Sequence, residues 1–153
     1  MSGRIPDAHQ HDRHKPDPRP IGVFDSGVGG LTVLHECLVS LPHEDFIYLG
    51  DTSSFPYGSR SHEEVRGLAL RNAGFLVERQ VKLVIVACNS ATAVALPQLQ
   101  AAFATPVVGV VMPGARVAVQ ATRSRRVGLM ATEATVFSAS YQKALRALDA
   151  GIE

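Results

Sequence analysis

Cys88 stands where an apolar, β-branched run, Val84-Ile85-Val86-Ala87, gives way to Asn89-Ser90-Ala91-Thr92-Ala93. Thiolate is the reactive form of cysteine, and the first turn of a helix favours negative charge. A thiol at such a junction is therefore expected to have a lowered pKa, with Asn89 and Ser90 offering polar contacts to a solute. The alternative is a buried, inert cysteine packed at a strand end, since free cysteine is often buried. A second group with chemical potential is Asp25-Ser26-Gly27-Val28-Gly29-Gly30-Leu31. A nucleotide loop does not fit it, because Leu31 follows Gly30 where a Walker loop has lysine, and Thr32 stands where the dinucleotide fingerprint has its third glycine. A carboxylate at the entry would also repel phosphate. The glycines are expected to let backbone approach a small ligand with Asp25 facing the pocket; the alternative is that Asp25 and Ser26 only cap the first helix. A third stretch, Gly50-Asp51-Thr52-Ser53-Ser54-Phe55-Pro56-Tyr57-Gly58, suits a pocket wall or lid, or else an ordinary surface loop. Cys37 reads as core, and nothing in the spacing links His35, His43 or His62 to Cys88 as a general base.

The elements that would position these groups alternate regularly. Ile21–Phe24, Phe46–Leu49, Leu83–Ala87, Val107–Val111 and Val127–Met130 are short apolar runs, continuous rather than alternating, as in strands buried on both faces. Between and after them lie helical segments at about 31–40, 61–80, 90–102, 114–122 and 133–149. Ser61-His62-Glu63-Glu64 has capping-box spacing, Thr132 is placed to cap the last helix, and Pro97 is expected to kink or shorten the third. Five β-α units in series predict an α/β fold, a doubly wound parallel sheet in three α/β/α layers. Ligands of such sheets bind beyond the carboxyl ends of the strands. Asp25-Ser26, Gly50-Asp51, Cys88-Asn89-Ser90, Pro113 and Thr132 stand at those ends. Lys82 falls at the opposite end of its strand and Lys143 lies within a helix, so no lysine is placed for a Schiff base.

Composition narrows the classes further. Hydrophobic residues make up 46%, charged residues 19%, and the formal charge is +1, which gives nucleic acid no basic surface to follow. No apolar run approaches the roughly 18 residues of a membrane span, and no secretory leader is evident. Two cysteines, Cys37 and Cys88, fit free thiols in a reducing cytoplasm. Residues 1–19 differ from the rest: Pro6, Pro16 and Pro18, three histidines and many charges leave little to bury, so a disordered tail is expected before a single domain over 20–153. His9, His11 and His14 are read as incidental to that tail, and no metal site is expected.

Several segments, in order, resemble bacterial glutamate racemases: Phe24–Val33, Tyr48–Asp51 with Phe55–Gly58, Ala87–Ala93, Pro106–Val111 and Gly128–Val136. The resemblance covers essentially everything after the tail and implies the flavodoxin-like half of a racemase fold. It also implies an isomerase that interconverts L- and D-glutamate without a cofactor, supplying D-glutamate for peptidoglycan, and hence for cell-wall biogenesis and cell shape. Family members use two cysteines on opposite faces of the substrate. Cys88 corresponds to the first, with Asp25 orienting or assisting it. Ser26, Tyr57, Gly58, Asn89 and Ser90 would hold the substrate, with Thr132 and Thr135 as further carboxylate contacts. Ser90 stands where the family more often has threonine. The second cysteine, in a Gly-Cys-Thr-His-like motif, has no counterpart, so the chain reads as truncated after the N-terminal portion and is expected to be incomplete or inactive alone. Two other readings stay open: a catalytically silent module that binds an acidic amino acid, and an aspartate racemase-like enzyme completed by a partner chain. The implied partner is a small-molecule substrate, with a homodimer left open and neither nucleic acid nor membrane involved.

Overall fold

Four of the five apolar runs become strands of one parallel sheet. The computed structural model describes residues 17–153; most of the expected tail, with its three histidines, lies outside them. In chain order the elements are β1 (Ile21–Asp25), α1 (Leu31–Ser40), β2 (Phe46–Gly50), α2 (His62–Val77), β3 (Leu83–Val86), α3 (Asn89–Ala102), β4 (Val107–Gly109), α4 (Val111–Ala121), α5 (Glu133–Phe137) and α6 (Ser140–Leu148). The strand order is β2-β1-β3-β4. β1 is central, with Ile21 beside Phe46 on one side and Leu83 on the other.

Because side chains alternate across a strand, the sheet builds two apolar layers. Phe24, Val84 and Val86 face α2 and α3, where Val65, Ala69, Ala73, Leu76 and Leu99 complete the main core. Ile21, Val23 and Ala87 face the other way and are covered by Val33 and Leu34 of α1. That cover is thin, since no residue of α1 is buried. A third cluster joins Val111 and Ala115 of α4 to Ala144 and Leu145 of α6. Among the described residues, no helix is long and apolar enough to cross a membrane.

The predicted caps form. Ser61 Oγ accepts from the Glu64 amide at 3.3 Å while Glu64 Oε2 accepts from the Ser61 amide at 2.9 Å. Thr132 caps α5 by accepting from the Thr135 amide at 3.4 Å. Three expectations are corrected. Val127–Met130 is not a strand: the Val127 amide donates to the Glu153 carbonyl at 2.9 Å, and Glu153 donates back to Arg125 at 2.8 Å. Those bonds commit the segment to the last residues described instead of the β4 edge. The helix expected at 133–149 is two helices, broken at Ala139 in the left-handed region (φ 54°). There Ser138 donates to the Thr135 carbonyl at 2.6 Å and accepts from the Ser140 amide at 3.2 Å, competing with the helical ladder. Pro97 lies inside α3, which runs to Ala102, the end expected for it. Cys37 is half-buried in a groove and does not belong to the core.

Candidate active site

From β1 the chain steps outward to β2, then crosses back to β3 on the other side of β1. Such a reversal opens a crevice at the carboxyl ends of the two flanking strands, where ligands of open α/β sheets bind. β1 delivers Asp25 and Ser26 to this point, and β3 leads through Ala87 to Cys88. The Ala87 amide donates to the Phe24 carbonyl at 2.9 Å, fixing the two strand ends side by side. Above them lies an open cleft of about 550 Å³, whose polar lining includes Asp25, Ser26, Cys88, Asn89, Ser90 and Thr132.

Cys88 caps α3 and is 5% exposed. Its Sγ donates to Ser26 Oγ at 3.4 Å and accepts from the Ala91 amide at 3.4 Å. Burial pushes the thiol above its ordinary value and the nearby Asp25 carboxylate adds to this, against the lowering effect of the Ser26 and Ala91 contacts. The expectation of a lowered pKa is therefore corrected. The helix N-terminus is present, but desolvation outweighs it.

Asp25 is buried, and its Oδ2 accepts from the amides of Gly27 at 3.1 Å and Gly30 at 3.0 Å. The glycine turn thus wraps the carboxylate, leaving these amides committed to Asp25 and not to a ligand. A Cβ on Gly30 would stand 2.7 Å from Asp25 Cβ and 2.9 Å from Ala87 Cβ. Glycine is needed here so that the start of α1 can approach the strand ends.

Three hydroxyls meet on the α3 side. Ser90 Oγ is 2.9 Å from Thr132 Oγ1 and 3.5 Å from Thr135 Oγ1, and the two threonine oxygens are 3.0 Å apart. Thr132 reaches the cleft, whereas Thr135 is fully buried behind it. Asn89 Oδ1 accepts from the Tyr141 hydroxyl at 2.7 Å. Gly58 packs behind Thr132, where a Cβ would come within 2.6 Å of Thr132 Cγ2.

Tyr57 does not line the cleft. Its ring is buried, and its hydroxyl donates to Asp51 Oδ2 at 2.7 Å while accepting from Asn72 Nδ2 at 2.8 Å. Asn72 also donates to Asp51 Oδ2 at 3.2 Å. Burial pushes Asp51 up, but donation from Tyr57, Ser53, Asn72 and Ser54 prevails and holds it at about 2. Burial and the Asp51 charge push the Tyr57 phenol up. The sequence reading passed over Asn72 altogether. Its signal was a single amide on the apolar stripe Val65, Ala69, Ala73, Leu76 of α2. Phe55, in the stretch expected to form a wall or lid, does line the cleft, and Val110 is a further apolar wall residue that the sequence does not single out. Among the described residues, no three His, Cys, Asp or Glu side chains gather as metal ligands would.

The chain has well-defined relatives. A family profile for Asp/Glu/Hydantoin racemases matches residues 28–153. It is 53% identical over 135 residues to a glutamate racemase of Geobacter metallireducens, covering 88% of this chain and 50% of the relative. It is 50% identical over 133 residues to one of Enterococcus faecalis, covering 87% and 49%. The crystal structure of a Bacillus anthracis glutamate racemase isoform superposes with a TM-score of 0.85 at 44% identity, covering 88% of this chain and 51% of that one. The Francisella tularensis enzyme in complex with D-glutamate gives 0.81 at 39% identity, covering 89% and 51%. The chain spans about half the length of the curated relatives it matches.

Proposed function

Since the chain belongs to the Asp/Glu/Hydantoin racemase family, we propose that its cleft binds glutamate and provides one of the two proton-transfer faces of a cofactor-independent glutamate racemisation. The observation that carries this reading is the meeting of Cys88 with Asp25 and Ser26 at the switch point of the sheet. The α-proton of an amino acid is a weak acid, so its removal needs a positioned base and stabilisation of the charge that develops. Cys88, held as a thiol by burial, gives its proton to the planar carbanion in one direction. In the reverse direction its thiolate takes the α-proton. Ser26, bonded to the sulfur, orients it; Asp25 braces the turn that carries Ser26. Asn89, Ser90 and Thr132 offer the substrate carboxylate an amide and two hydroxyls, backed by Thr135. Gly58 and Tyr57 support that wall from behind. The product, D-glutamate, is a peptidoglycan precursor made in the cytoplasm.

Inversion requires acid and base on opposite faces of one carbon. Among the described residues lining the cleft, Cys88 is the one thiol. We therefore expect that any α-proton exchange by this chain depends on Cys88, and that the chain alone does not convert one enantiomer into the other. NMR of L- and D-glutamate in deuterated water, with a chiral assay alongside, tests both points. Exchange that persists in Cys88→Ala, or inversion by the chain alone, would overturn this assignment.

A further inference from the structure

We propose that Asn72, on α2 and outside the cleft, is a positioning residue that latches the wall formed by residues 51–58. Asn72, Tyr57 and Asp51 close a ring of three buried hydrogen bonds, at 2.8, 2.7 and 3.2 Å. All three side chains are buried. The Asn72 amide nitrogen donates to both the Tyr57 oxygen and Asp51 Oδ2. The other carboxylate oxygen of Asp51 accepts from Ser53 Oγ at 2.9 Å and from the Ser54 amide at 3.3 Å. The segment is thereby tied to α2 by two neighbouring side chains, the buried Asn72 and the more exposed Arg71, whose Nη2 donates to Asp51 Oδ2 at 3.3 Å and to Ser54 Oγ at 3.2 Å.

What the latch positions lies on the cleft side. Between Ser54 and Tyr57 the chain presents Phe55, whose ring lines the cleft and covers Gly27, where a Cβ would sit 3.1 Å from it. Directly after Tyr57, Gly58 abuts Thr132, and its carbonyl accepts from the Ala134 amide at 3.4 Å. Phe55 is 63% exposed, so burial of its own ring does little to hold it. Its position follows from the buried ring behind it, together with the arginines that hold Ser54, Arg60 on its carbonyl at 2.9 Å and Arg71 on its hydroxyl. A buried donor removed from such a ring leaves acceptors unsatisfied, which loosens the segment locally.

The test uses the full chain and two variants, Asn72→Leu, which keeps the number and branching of side-chain heavy atoms and removes the donor, and Tyr57→Phe, which keeps the ring and removes the hydroxyl. Leu145→Ala, in the α4–α6 cluster, serves as a control of comparable thermal destabilisation. Hydrogen exchange over residues 51–58 and the rate of Cys88 alkylation by iodoacetamide are read in each. Both latch variants are expected to exchange several-fold faster in that segment and to alkylate several-fold faster at Cys88 than the control, with α3 unchanged. Rates no higher than those of Leu145→Ala would overturn the proposal, and Tyr57→Phe decides it alone where Asn72→Leu does not fold. Only the ligand arm rests on the glutamate reading: glutamate should protect Cys88 less in the latch variants than in the wild type. Absence of protection in the wild type would remove glutamate as the ligand, while exchange and alkylation still decide the latch.

Discussion

Cys88 illustrates how two physical effects at one residue compete. Its place at the start of α3 favours the thiolate, yet burial favours the thiol, and burial prevails. The sign of the pH dependence follows. With its pKa raised by folding, Cys88 contributes full stability below the pKa of an unfolded cysteine, about 8.5. That contribution is lost as pH rises through this value towards the higher folded one, because the folded state holds its proton longer. The alkylation rate of Cys88 should therefore show a midpoint above that of the same peptide in urea. A midpoint at or below the urea value would mean that the helix terminus dominates after all. The residue types at the site were legible because a strand, a cysteine and a hydroxyl run were contiguous, as were Asp25 and its glycines. Burial was not legible, since it depends on what Ser26 and Asp25 bring from another strand. The same limit hid Asn72, whose partners lie 15 and 21 positions away in sequence.

Elements were readable wherever their determinants are local. α1, α2 and α3 begin within a residue or so of their expected starts, and the Ser61–Glu64 box forms as its spacing requires. Replacing Ser61 with alanine should lower stability by about 1 kcal/mol, measured as a shift in urea midpoint at constant slope. No shift would show that α2 is held by its packing against α3 alone. The misreadings have non-local causes. Val127–Met130 carries strand-like residues, yet its register is taken by Glu153 and Arg125. The break at Ala139 joins the Ser138 contact to Thr135 with a distant one, Ser140 Oγ donating to the Ala93 carbonyl at 2.6 Å. Continuous hydrophobicity correctly announced a parallel sheet, but could not say which run would be left out of it.

At the scale of the whole molecule, the two faces of the sheet are unequally covered. α2 and α3 seal one face, while the α1 side leaves Leu31, Leu38, Val39 and Val108 exposed beside an apolar groove of about 530 Å³. This groove shares Thr32, Val33 and Val110 with the cleft. Exposed apolar surface of this kind promotes association, so the 153-residue chain should show concentration-dependent self-association in light scattering after size exclusion. Leu38→Lys with Val39→Lys should reduce it, and a wild-type chain that stays monomeric at high concentration would contradict the expectation. The most direct test of the central claim, that glutamate occupies the cleft against Cys88, is peptide-resolved alkylation of the two cysteines with and without L- or D-glutamate. The account predicts that millimolar glutamate slows modification of Cys88 while leaving Cys37 unaffected. Equal slowing at both cysteines, or none at Cys88, would contradict it.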